Sequence, residues 1–285
     1  MMRKLVLRSV ALLAAFVAGV AVAQLTGFFR AAVDWKMADV RAVVVAPDAP
    51  SVLAAWPEEP DVEWEPPQSP PQIARILETG DFHNEEVSAR TGERWLGLYV
   101  TDKGSFLAES VLTVAAVRDD VVDDVKSSQK TGKRVSVNRR EQPVVLVKGA
   151  STLRPGNVST VFNGRMSLTN AASLDLRLGA TSYGLSVATR DTEYSFAIDR
   201  NDAKLILNRD SENEQVLYDL GGTGQPIEGY WELLWAGDMD GDNKLDLYVQ
   251  VGWHYNSTQR KLFLSSYARK GKLVREVGEL YTVGC

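Results

Sequence analysis

From about residue 72 onward, apolar and polar positions alternate with a period of two, and short apolar runs are separated by turn residues. Trp95, Gly97 and Tyr99 interleave with Leu96, Leu98 and Val100, while Leu174, Leu176 and Leu178 share one face opposite Asp175 and Arg177. A two-residue period places successive side chains on opposite faces of a strand. Further strands are predicted over 111–117, 135–137, 144–147, 158–162, 183–189, 194–198, 204–207 and 214–220. The breaks carry Asp102-Lys103-Gly104, Lys130-Thr131-Gly132-Lys133, Asn163-Gly164 and Arg200-Asn201-Asp202, and Asn163-Gly164 predicts a tight hairpin. Many short strands at this spacing predict an all-β fold, a sandwich or barrel-like body of antiparallel strands. One short helix is predicted over 71–79, with proline at its start.

Upstream of this body the pattern differs. Residues 1–23 combine Arg3, Lys4 and Arg8 with an apolar run and a terminal Ala21-Val22-Ala23, the layout of a secretory signal peptide cleaved after Ala23. The apolar stretch 10–23 has 14 residues, against the roughly 20 a membrane-spanning helix needs. Export to the periplasm or beyond the cell is the expectation, with no membrane span once the signal is removed. Residues 24–71 form an Ala- and Pro-rich segment with a short helix expected over 28–40. Eight of the eleven prolines lie between Pro47 and Pro71, which predicts an extended polyproline spacer. The β domain then occupies residues 72–285.

Composition narrows the chemistry. Without the three signal residues, 29 basic side chains face 37 acidic ones, a net charge near −8, so nothing favours nucleic acid as a partner. The lone cysteine, Cys285, closes no bridge within the chain and reads as a terminal thiol. His83 and His254 are the only histidines, which closes metal or acid–base chemistry that needs several imidazoles. Ser265 and Ser266 lack nucleophile-elbow glycines and read as ordinary strand residues. The acidic run Arg118-Asp119-Asp120-Val121-Val122-Asp123-Asp124 reads as a solvated loop, and Gly221-Gly222-Thr223-Gly224 as a flexible turn.

The most specific pattern is Gly237-Asp238-Met239-Asp240-Gly241-Asp242-Asn243-Lys244-Leu245-Asp246-Leu247. With Asp238 as the first position, Asp240 is third, Asp242 fifth and Asp246 ninth, and Lys244 at the seventh offers its backbone carbonyl. Four carboxylates in nine residues repel unless a hard cation accepting 6–8 oxygens sits among them. Asn243 stands at the sharp-turn position, and Asn tolerates positive φ. An EF-hand needs a bidentate Glu at position twelve, which is Val249 here, and flanking helices. The run after Asp246 alternates as a strand instead. The loop resembles the calcium loops of FG-GAP and VCBS repeats of integrin-type propellers. That resemblance implies Ca²⁺ held by Asp238, Asp240, Asp242, Lys244 and Asp246, in a loop between two strands. One copy of the loop argues against a full propeller.

Trp231, Trp235, Trp253 and Tyr255 gather near this loop and are the candidates for a sugar-binding platform. The leading expectation is an exported, non-enzymatic Ca²⁺-binding β domain. The alternatives are a carbohydrate-binding or cell-surface module, with a glycan or envelope protein as partner, and a secreted hydrolase using paired acids.

Overall fold

Strands account for nearly all regular structure because the alternating segments find antiparallel partners. A computed structural model describes residues 69–126, 128–168, 173–188, 203–210, 213–220, 231–252 and 256–283, all within one compact unit. The signal peptide, most of the proline-rich segment, the 194–198 strand, Gly221–Gly224, Trp253, His254, Tyr255 and Cys285 lie outside these residues.

The strands are β1 (Arg75–Leu77), β2 (Gly80–Phe82), β3 (Arg94–Thr101), β4 (Gly104–Val117), β5 (Gly132–Val137), β6 (Val145–Lys148) and β7 (Gly156–Ser167). They continue as β8 (Leu174–Leu178), β9 (Thr181–Ala188), β10 (Lys204–Arg209), β11 (Asn213–Asp219), β12 (Glu232–Asp238), β13 (Asp246–Val251), β14 (Ser257–Leu264) and β15 (Arg275–Val283). The chain is all-β: among the described residues there is no α-helix, only single 3₁₀ turns at Asn84–Glu86 and Ser265–Tyr267.

The main sheet runs β1-β6-β3-β4-β7-β12-β13-β14-β15, with β5 on the outer half of β4 and β2 on β5. Its two edges meet where the Ile73 and Ala74 amides donate to the Val277 carbonyl at 2.9 and 2.7 Å, so the sheet is nearly closed as a barrel. A second sheet, β11-β10-β9-β8, is antiparallel throughout.

Two cores result, and β12, β13 and β14 divide them. Leu234, Trp235, Tyr248, Leu262 and Leu264 point to the first core, with Ile76, Leu98, Leu146 and Val277. Leu233, Ala236, Leu247, Val249 and Phe263 belong to the second, against Leu185, Leu205 and Leu207 of the small sheet. Strands covered on both faces need apolar residues at consecutive positions, which is why Leu233-Leu234-Trp235-Ala236 shows no alternation. A register shift between Leu233 and Trp235 turns both Leu234 and Trp235 to the same core.

Two local expectations are corrected. Residues 71–79 form no helix: Arg75–Leu77 is strand β1, paired with Lys148, Val147 and Leu146. Asn163-Gly164 makes no hairpin but lies inside β7, where the pairing of Leu233 with Met166 and of Trp235 with Asn163 defines a bulge. Asp102-Lys103 does form the two-residue connection between β3 and β4.

Candidate metal centre

The acidic loop joins β12 to β13, with Asp238 ending one strand and Asp246 opening the next. Antiparallel pairing of Gly237 with Asp246 fixes the two ends of the loop side by side. Between them the chain turns through left-handed backbone twice, at Gly241 (φ 82°) and Asn243 (φ 61°). Asn243 therefore does the conformational work expected of it.

Asp238 organises the turn as an acceptor. Its Oδ1 accepts the amides of Gly241 (2.7 Å) and Asp242 (3.1 Å), and its Oδ2 that of Asn243 (3.0 Å). Asp246, wholly buried, accepts the Met239 amide on Oδ2 at 2.7 Å. Its Oδ1 accepts the Ser265 amide at 2.7 Å and the Ser265 hydroxyl at 2.9 Å. That hydroxyl also lies 2.9 Å from Asp242 Oδ1, and a single proton cannot serve both carboxylates at once.

Asp238, Asp240 and Asp246 each present a carboxylate oxygen, and the three oxygens lie within 4.8 Å of one another. This buried triad can hold a metal ion. Asp242 stands beside it, pairing with the Lys244 ammonium at 3.2 Å and accepting the Lys244 amide at 2.9 Å. The Asp240 Oδ2 accepts the Thr152 hydroxyl at 3.4 Å, whereas its Oδ1 is buried with no hydrogen-bond partner. A buried acceptor left unpaired costs about 1–3 kcal/mol, more when charged.

The electrostatics follow from burial and crowding. Burial, reinforced by the charge of Asp240, pushes the Asp246 carboxyl up to about 8 despite its hydrogen bonds to Ser265 and Met239. Burial also raises Asp240, with Asp242 and Asp238 adding to the effect and a Ser266 hydrogen bond opposing it. Without a cation, full ionisation of the triad is thus disfavoured.

The sequence does not single out Thr152, and Ser265 and Ser266 read there only as ordinary strand residues. The serines do not continue a strand but form the 3₁₀ turn after β14, which places them over the acidic loop. The proposed aromatic platform is corrected: Trp231 and Trp235 are 1% and 0% exposed and fill the two cores. Their indole N–H groups donate inward, to the Gly252 carbonyl and to the Thr160 hydroxyl, both at 2.9 Å. Trp253 and Tyr255 lie outside the described residues.

The acidic run after β4 is an exposed loop, as expected, except at two of its carboxylates. Asp119 and Asp123 are buried and cap their own turn: Asp119 Oδ1 accepts the Val121 and Val122 amides, and Asp123 Oδ2 those of Asp119 and Thr131. Asp119 Oδ2 also meets the His83 imidazole Nδ1 at 2.5 Å.

Fold and loop together define an all-β protein with a carboxylate triad at a strand-to-strand turn. Compared with protein-family models, curated proteins and solved structures, the chain has no match.

Proposed function

We propose that this chain is an exported, non-enzymatic β domain in which the loop between β12 and β13 binds Ca²⁺ as a structural ion. Two observations carry this reading: one carboxylate oxygen from each of Asp238, Asp240 and Asp246 lies within 4.8 Å of the others, and Asp240 has an oxygen buried without a donor. An all-oxygen donor set with no thiolate or imidazole suits a hard dication rather than zinc. Ca²⁺ tolerates irregular loops of this kind, whereas Mg²⁺ demands near-ideal octahedral geometry. Asp242 and the Lys244 carbonyl stand in the loop as the further ligands the sequence pattern implies. The ion would neutralise the triad and fasten β12 to β13 at the wall that both cores share. The amino-terminal signal pattern supports export, where calcium is abundant and paired cysteines are not required.

The test is thermal melting of the purified chain in Ca²⁺ and in chelator. Calcium at a hundredfold excess over Kd should stabilise by about 2.7 kcal/mol, a rise of roughly 5–10 °C for a domain of this size. Asp240→Ala should abolish the gain while leaving the chelated protein at least as stable as wild type, because it relieves repulsion. Identical melting with and without Ca²⁺, or a loss of stability in chelator for Asp240→Ala, would refute the reading.

A further inference from the structure

We propose that the groove between the acidic loop after β4 and the end of β15 docks a polypeptide segment carrying cationic side chains beside aliphatic ones. The groove encloses about 630 Å³, within the range of specific ligand sites. Its walls include Val122 from the loop and Tyr281 and Val283 from β15.

The distribution of exposed apolar groups singles out this place. Among the described residues seven large hydrophobic side chains are strongly exposed; Val122 (65%), Tyr281 (39%) and Val283 (40%) line the groove, and Val121 (56%) and Val125 (79%) belong to the same loop as Val122. An apolar patch of this kind marks an interaction surface. The loop is built with inverted polarity. Asp119 and Asp123 turn inward to cap backbone amides, so the valines between and after them face water. Hydrophobic burial opposes that arrangement in the isolated molecule, and the hydrogen bonds of Asp119 to His83 and of Asp123 to Thr131 hold it in place.

The charge of the groove selects the partner. Glu85, Glu86 and Asp119 line it, with no lysine or arginine among the described lining residues, and the His83 imidazole is already paired with Asp119. Glu86 caps the Val283 amide through Oε1 and the His83 amide through Oε2, which anchors the strand end to the 3₁₀ turn. Acidic side chains beside exposed apolar ones complement a segment alternating lysine or arginine with valine or leucine. The metal centre plays no part in this recognition.

Fluorescence anisotropy on the full chain tests it with three labelled peptides, alternating lysine with valine, lysine with serine, and glutamate with valine. Only the lysine–valine peptide should bind well, and more weakly as salt rises. Glu85→Lys and Val122→Ser, both at exposed side chains, should each weaken it about tenfold, roughly 1.4 kcal/mol, without changing the melting temperature. Three results would overturn the proposal: no binding of the lysine–valine peptide, equal binding of the lysine–serine peptide, or equal binding by both variants. Sedimentation showing self-association that Val122→Ser removes would assign the groove to a second copy instead, and would overturn it too.

Discussion

Asp119 and Asp246 are both buried carboxylates, and the fold holds their protons in opposite ways. The hydrogen bond from His83, helped by the Val121 and Val122 amides, pulls Asp119 below the usual carboxylate range, against the effect of burial. Desolvation pushes Asp246 up, and its own hydrogen bonds only partly offset the effect. A carboxylate beside a cationic partner is stabilised as the anion, whereas one among other acids is not. The same contact raises His83, chiefly through its hydrogen bond to Asp119, with the charges of Asp119 and Glu86 adding. The sign is fixed by the direction. A raised histidine contributes stability that is fully present below about 6.5 and fades as pH rises through its folded value. The lowered Asp119 contributes above its ordinary range and loses that contribution as pH falls through its depressed value. With two histidines in the chain, the measurement is simple: of two imidazole resonances, the one absent from His83→Gln should titrate above 6.5. Titration of that resonance at or below 6.5 would show the ion pair to be absent in solution.

At the level of elements, the sequence patterns were legible wherever one face alone is buried. Leu174, Leu176 and Leu178 alternate with exposed Asp175 and Arg177 as their spacing implied. Legibility failed where tertiary pairing overrode local spacing. Ile73, Ala74, Ile76 and Leu77 have helix-like spacing, yet β6 and β15 recruit them as a closing edge. The acidic loop was readable because its ligands are close in sequence. Ser265 and Thr152 were not, because they reach the loop only through the β13–β14 register and a contact 88 residues away. Element packing also dictates Gly237. A Cβ there would lie 2.1 Å from the Ser159 carbonyl on β7 and 2.6 Å from the Trp235 ring. Backbone cannot yield as a flexible side chain does, so Gly237→Ala must loosen the β12–β7 ladder where Gly237 pairs with Thr160. The expected cost is about 1–3 kcal/mol, seen as a lower melting temperature. Because Asp238 follows directly, calcium affinity should fall as well. An unchanged melting curve would mean that β7 and β12 are further apart than described.

The β domain is joined at the acidic loop. Asp238 ends β12, Asp246 opens β13, Ser265 follows β14 and Thr152 follows β6, so four segments meet there. The three strands are the wall between both cores, and neutralising the loop should therefore be felt by the global unfolding transition. In chelator, the unfolded chain ionises its aspartates near 4 while the folded chain keeps the Asp246 proton to about 8. The folded state then binds more protons in that window, so stability must fall as pH rises, by about 1.4 kcal/mol per pH unit from this group. Bound calcium replaces the proton and removes the slope, so the melting gap between calcium and chelator should widen from pH 5 toward pH 8. His83 adds its own decline above about 6.5, but equally in both conditions. Asp246→Asn separates the two. Its amide carries one acceptor oxygen where Asp246 serves Met239 on one side and Ser265 on the other, so the variant is destabilised by a fixed amount. That offset does not depend on pH. The chelator slope of wild type minus that of Asp246→Asn isolates the buried carboxyl, and equal slopes would mean that Asp246 carries no displaced proton for calcium to replace.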